Sequence, residues 1–165
     1  MHKVPLVFDT VTLANFLLSD AAGILIDRYS GRARITGQVF DELTGSIHRC
    51  RELSGIGQLL DQKHFSLVTI TLAERKIYID LVASLGRGES SCIAVAGSRN
   101  WIMVTDDRAA RGRCSEKGVI VTGTIGILKA ASIDKQLTAH QADDILKKMI
   151  REGFYSPVGR ISDLL

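Results

Sequence analysis

Aromatic residues are scarce in this chain: one Trp, three Tyr and five Phe make up 5% of 165 residues. The core must therefore be built mainly from Leu, Ile, Val and Ala, a composition that suits helices laid on a mainly parallel sheet. Cysteine is also rare. Cys50, Cys92 and Cys114 are odd in number and form no Cys-x-x-Cys, which argues against a disulfide framework or a zinc knuckle. The four histidines, His2, His48, His64 and His140, are scattered without ligand spacing. The two prolines, Pro5 and Pro157, and the lack of a low-complexity linker give no sign of a second domain, so residues 1–165 read as one domain. No apolar run approaches the roughly 20 residues of a membrane helix. The start MHKVPLVFDT lacks the long apolar run and cleavage site of a signal peptide. The expectation is a cytoplasmic protein with no membrane partner. The net charge of +3 permits an acidic partner such as RNA but does not argue for one.

Apolar runs and helical patterns alternate along the chain. Val4–Phe8, Ala33–Thr36, Phe65–Ile70, Trp101–Thr105 and Gly118–Val121 read as buried strands. Val11–Leu18 has helical spacing, and a short helix follows it, capped by Ser19 or Asp20. Thr36 is placed to cap a helix over Gly37–Ile47, with Val39, Leu43 and Ile47 as its apolar stripe. Arg49–Gln62 reads as a polar helix interrupted at Gly55 and Gly57. Further helices are expected over Thr71–Ser84, Glu89–Ala96, Asp106–Cys114, Thr122–Ala131 and Ala139–Glu152. Alternation of this kind implies an α/β sandwich with a mainly parallel sheet.

In open parallel sheets the working crevice lies beyond the carboxyl ends of the strands. Asp9 follows the first strand, and Asp106 and Asp107 follow Trp101–Thr105. If those strands are neighbours, their acids share a rim. Glu42 lies about one and a half turns into its helix and flanks the apolar stripe. Glu89 stands in the first turn of a helix, at i−4 to Ile93 on its buried face, where the dipole favours an acid. Taken singly, each acid has an ordinary explanation as a helix cap or a solvated side chain. Together they place at least four carboxylates at one end of one sheet with no basic partner fixed by spacing. Like charges so close invite a hard cation, and Mg²⁺ and Mn²⁺ prefer oxygen ligands. Such a metal lowers the pKa of bound water and binds phosphate oxygens, which suits phosphodiester hydrolysis. No Ser–His or Cys–His pairing suggests a covalent intermediate. Arg108 and Arg111, beside the aspartates, are candidates for phosphate contacts, with a solvated helix end as the plain alternative. Arg28, Arg32 and Arg34 form a second basic run, expected near the same rim.

The chain resembles the PIN-domain family, the small metal-dependent ribonuclease fold that includes VapC-type toxins, and most of all its predicted nucleic-acid-binding branch DUF3368. The resemblance rests on FDTVTLANFL with Asp9, ITGQVFDEL with Glu42, LGRGESSCIAVA with Glu89, VTDDRAAR with Asp106 and Asp107, VTGTIGILKAA, and the closing GFYSP. It implies a three-layer α/β/α sandwich and Mg²⁺ or Mn²⁺ held by three or four carboxylates. It also implies single-stranded RNA as substrate, frequent homodimers and, in toxin members, an antitoxin partner. Asp9, Glu42, Glu89 and Asp107 carry over as the acidic quartet, with Asp106 adjacent and either aspartate eligible as ligand. Thr105 carries over as a supporting or substrate-contacting residue. Val11 departs from the small polar residue usual two places after the first acid, and Glu89 stands where toxin members usually have Asp. Two other classes compete. One is a non-catalytic nucleic-acid- or antitoxin-binding module on the same fold. The other is a phosphoacceptor domain of receiver type, which wants a Lys after the last strand where this chain has Gly and Ile.

Overall fold

Three apolar residues, Leu6–Phe8, form the central strand β1, and all three are buried. Buried on both faces, such a strand has to be covered from both sides. The computed structural model describes residues 3–165; Met1 and His2, one of the scattered histidines, lie outside them. The chain continues through helix α1 (Thr10–Leu18), α2 (Ala22–Tyr29), strand β2 (Ala33–Thr36), α3 (Gly37–Gly45), a 3₁₀ turn (Arg51–Ser54), α4 (Gly55–Asp61) and β3 (Phe65–Val68). It then forms α5 (Leu72–Val82), α6 (Arg87–Arg99), β4 (Ile102–Val104), α7 (Arg108–Glu116), β5 (Val121–Thr122), α8 (Thr124–Ile133), α9 (Ala139–Arg151) and a final 3₁₀ turn (Ser162–Leu164).

The strands order as β3-β2-β1-β4-β5, every pair parallel. The order runs outward from β1 to β3 and then returns to β4 on β1's other side. The junction of β1 and β4 is therefore the switch point, where the crevice of a doubly wound sheet opens. The fold is an α/β sandwich, as the alternation implies, in the three-layer α/β/α form that the family resemblance implies, with a sheet that is wholly parallel. Among the described residues no single helix is long and apolar enough to cross a membrane.

Helix α6 is the centre of one layer, packed on β1, β2 and β4 and flanked by α3, α5 and α7. Its segment Gly88–Ala96 is buried except at Glu89, and Gly88, Ser90, Ser91, Cys92, Ala94 and Ala96 are all small. Small side chains let the helix axis approach the sheet, at the cost of helix propensity at Gly and Ser. Helices α1, α8 and α9 pack together in the other layer.

Several local expectations are corrected. Neither Ser19 nor Asp20 caps α2. Asp20 is in the left-handed region at φ 56°, and the Ser19 hydroxyl donates to the Asn15 carbonyl. The stretch from Arg49 is a 3₁₀ turn followed by a short helix, and that helix runs through Gly57. Helix α6 is longer than Glu89–Ala96, and α7 starts after Asp107, which is its cap. The run Arg28, Arg32 and Arg34 lies at the other end of the strands. Arg32 precedes β2, whose carboxyl end is Thr36, and Arg28 pairs with Asp134.

One ion pair fastens the outer helices. Glu74, 2% exposed, accepts from Arg99 Nε at 2.7 Å and Nη2 at 3.0 Å and from the Thr71 amide at 2.7 Å, closing a capping box. Arg99 hydrogen bonding, ahead of the opposing effect of burial, holds this carboxyl below its ordinary range. A lowered pKa contributes stability above the unfolded value of 4.5 that is lost as pH falls through the folded value. Glu74→Gln keeps a box-competent side chain but loses the charge, and is expected to cost about 2 kcal/mol, since Arg99 retains some solvent. Thermal melts should show a clear gap to wild type at pH 7 that narrows as the pH falls below 4.5.

Candidate active site

Phe8 pairs with Val104, so the next residues, Asp9 and Thr105, leave the sheet side by side. The Asp9 amide donates to the Val104 carbonyl at 3.0 Å, extending the ladder by one step. Asp9 then caps α1, with Oδ1 accepting from the Thr12 amide at 2.8 Å. Its Oδ2 accepts from the Thr105 hydroxyl. Asp9 is 1% exposed, and burial pushes its carboxyl up from 3.8 to about 6. The hydrogen bonds from Thr105 and Thr12 oppose that rise, and the nearby Asp106 charge adds to it.

The two adjacent aspartates are not equivalent. Asp106 is an acceptor hub: Oδ1 takes the Thr124 amide at 2.9 Å, and Oδ2 takes the Thr124 hydroxyl at 2.5 Å. The same Oδ2 receives Thr12 Oγ1 and Asn15 Nδ2, both at 3.3 Å. Asp107 is exposed and caps α7, with Oδ1 accepting from the Ala110 amide at 2.7 Å. Thr105 lies between Asp9 and Asp107. It is wholly buried, its hydroxyl donates to Asp9 and accepts from the Asp107 amide at 3.1 Å, and no surface remains for a substrate. Its geometry is that of a positioning residue.

On the other side of the crevice, Glu42 is held at both oxygens. Thr10 Oγ1 donates to Oε2 at 2.5 Å and the Gly88 amide donates to Oε1 at 2.8 Å. A Cβ at Gly88 would sit 2.8 Å from Glu42 Oε2 and 2.9 Å from Thr10 Oγ1, so only glycine allows this approach. Glu89, half-buried in the first turn of α6, has its carboxyl raised by burial first and then by the Glu42 and Asp107 charges.

The structure thus brings all five acids to the carboxyl edge of β1 and β4, in two groups. Asp9 faces Asp106; Glu89 faces Glu42 and Asp107. Among the described residues, none of the five has a Lys, Arg or His nitrogen within 4.0 Å. The donor set is all oxygen and carries uncompensated negative charge, which fits a hard divalent cation. The side chains are not preassembled: among the described residues, no three His, Cys, Asp or Glu converge on one ligating point. Arg108 and Arg111 lie beside the rim, lining a cavity of about 620 Å³ that Asp106 also lines.

The sequence reading missed the residues that set this arrangement. Thr12 and Asn15 are buried polar side chains in the otherwise apolar helix TVTLANFLL, and Thr124 is buried beside them across the crevice. A polar residue held on the core side of an apolar helix was the available signal, since burial without a partner is costly. Thr10 and Gly88 left no comparable mark.

Residues 5–165 match the family model described as PIN domain. No curated protein matches the sequence. Among solved structures, the chain is similar to VapBC2 from Rickettsia felis bound to a DNA fragment from their promoter. That match has a TM-score of 0.52 and 12% identity, over 72% of this chain and 97% of the other. It is also similar to VapBC-1 from nontypeable Haemophilus influenzae, with a TM-score of 0.53 and 10% identity over 74% and 98% of the two chains. At these identities the structural likeness speaks to the fold.

Proposed function

From the premise that the chain belongs to the PIN-domain family, we propose that it is a divalent-metal-dependent endoribonuclease acting on single-stranded RNA. The observation that carries this is the gathering of Asp9, Glu42, Glu89, Asp106 and Asp107 at the switch-point edge, with no Lys, Arg or His nitrogen within 4.0 Å of any of them among the described residues. Mg²⁺ or Mn²⁺ would be held by Asp9, Asp107 and Glu89. Asp106, which gathers four donors from Thr12, Asn15 and Thr124, serves as the latch that fixes α1 against the start of α8. When bound, the metal supplies Lewis acidity toward a phosphate oxygen and an acidified water.

The chain's own residues do the rest. Thr105 donates to Asp9 Oδ2 and receives the Asp107 amide, so one hydroxyl sets the spacing of the two acids. Glu42, anchored by Thr10 and Gly88, orients water at the rim. Glu89 carries no such anchor on another element, so its carboxylate is free to turn toward the cation or a water beside it. Arg108 and Arg111 would receive backbone phosphates. We read residues 1–165 as one domain and, from the family and the VapBC relatives, propose an antitoxin partner, homodimers and a cytoplasmic setting.

A second reading, a nucleic-acid- or antitoxin-binding module without catalysis, draws on the fact that no three acids converge among the described residues. A cleavage assay separates the two. Purified protein with Mn²⁺ or Mg²⁺ should cut a single-stranded RNA and stop cutting in EDTA. Binding without cleavage under either metal would favour the module.

A further inference from the structure

The cavity beside Asp106 is lined on one side by Arg108 and Arg111 of α7. Thr122, Gly123 and Gly126, around the start of α8, and Phe154, Tyr155 and Pro157 of the tail after α9 line it as well. Neither arginine makes an ion pair among the described residues. Tyr155 is 93% exposed, the most exposed large apolar side chain of the described residues, at the lip of this cavity. Such a ring offers an open face on which a base can stack. Gly123 brings the turn close: a Cβ there would meet Arg111 Nη2 at 2.5 Å and the Thr105 carbonyl at 2.9 Å, as well as the Asp106 carboxylate. Arg111 and the acid rim are thus held within one residue's span of each other.

We infer that this cavity is a nucleotide subsite flanking the scissile phosphate, in which a base stacks on Tyr155 and its phosphate rests on Arg108 and Arg111. The combination fits single-stranded nucleic acid better than other ligands. Two cations suit a phosphate, and an aromatic face suits any base. Volume is consistent as well: about 620 Å³ admits one nucleotide but not a duplex. A second cavity of about 440 Å³, lined by Glu42 and Arg87, lies across the acid rim, so a strand leaving the subsite over the acids has somewhere to continue. The inference rests on the ribonuclease reading for its substrate, and assigns to Tyr155 a strand-holding role that the acids do not supply.

The test is equilibrium binding of a fluorescent single-stranded RNA oligomer in EDTA, where no cleavage interferes. Tyr155→Ala should weaken binding about tenfold, while Tyr155→Trp preserves it. Arg111→Ala should weaken binding and flatten its salt dependence by about one phosphate. Tyr155 is at the surface, so these variants should fold as wild type does, and melting curves check this. Wild-type binding that neither Tyr155→Ala nor Arg111→Ala alters would overturn the subsite and leave the ribonuclease reading standing. Failure of the wild type to bind any RNA at low salt would overturn the subsite, and the ribonuclease reading is then decided by the cleavage assay with Mn²⁺.

Discussion

Asp9→Asn should abolish metal-dependent cleavage of RNA, by about a hundredfold or more, and at the same time make the metal-free protein more stable. The first effect follows from the site: even outer partners of a metal ligand cost 10- to 100-fold when removed, and a ligand should cost no less. The second follows from linkage. Asp9 titrates at about 6 in the folded protein against 3.8 for the ordinary group, chiefly because burial disfavours its charge. The folded state therefore holds the proton more tightly, and stability falls as pH rises from about 3.8 through about 6. Above that window the cost levels off at about 3 kcal/mol. Asparagine carries no charge to bury and can still accept from the Thr12 amide. Its melting temperature should exceed wild type by several degrees at pH 7, and the difference should vanish near pH 4. Differential scanning calorimetry at the two pH values, beside a cleavage assay, checks both halves. A variant that melts lower than wild type at pH 7 would mean that the carboxylate is there to cap α1.

The adjacent aspartates should separate cleanly. Asp106→Ala removes the acceptor of Thr124 N and Oγ1, Thr12 Oγ1 and Asn15 Nδ2, three of these donors belonging to buried side chains. Leaving buried donors unmet costs about 1–3 kcal/mol each at the outset, less whatever the side chains recover by turning elsewhere. A net loss of about 2–4 kcal/mol is expected, lowering the melting temperature on the order of 10 °C. Asp107→Asn should do the opposite. Asparagine is as good a helix cap as aspartate, so the melting temperature should stay within about 2 °C while cleavage is lost. If Asp106→Asn, assayed well below its melting temperature, loses Mn²⁺ binding while Asp107→Asn keeps it, the two roles are exchanged.

The parts legible in the sequence were those that follow from local pattern. The run Leu6–Phe8 ending on Asp9, and the run before Asp106, could each be read as a strand whose end carries an acid. That the two strands are neighbours is only a condition in the sequence, and the pairing of Phe8 with Val104 meets it. What could not be read was how side chains far apart in sequence divide the work. Whether Asp106 or Asp107 faces the solvent depends on Thr124, 18 residues away, and on Asn15, 91 residues away. No periodicity encodes that choice. The same holds for Glu42, whose two anchors, Thr10 and Gly88, come from different helices. Ser19 and Asp20 show the reverse failure, since both are good capping types and neither caps, because the chain turns through a left-handed residue before α2 begins. The Arg28–Arg34 run failed for a topological reason: its residues stand on the amino side of β2, away from the edge at which the strands deliver their acids.

The central claim is that these acids hold one divalent cation, and titration of Mn²⁺ into the metal-free protein by isothermal calorimetry tests it most directly. Saturable binding in the wild type that collapses in Asp9→Asn and Asp107→Asn, but survives in Tyr155→Ala, is the predicted result. Absence of saturable binding, or binding indifferent to Asp9 and Asp107, would contradict it.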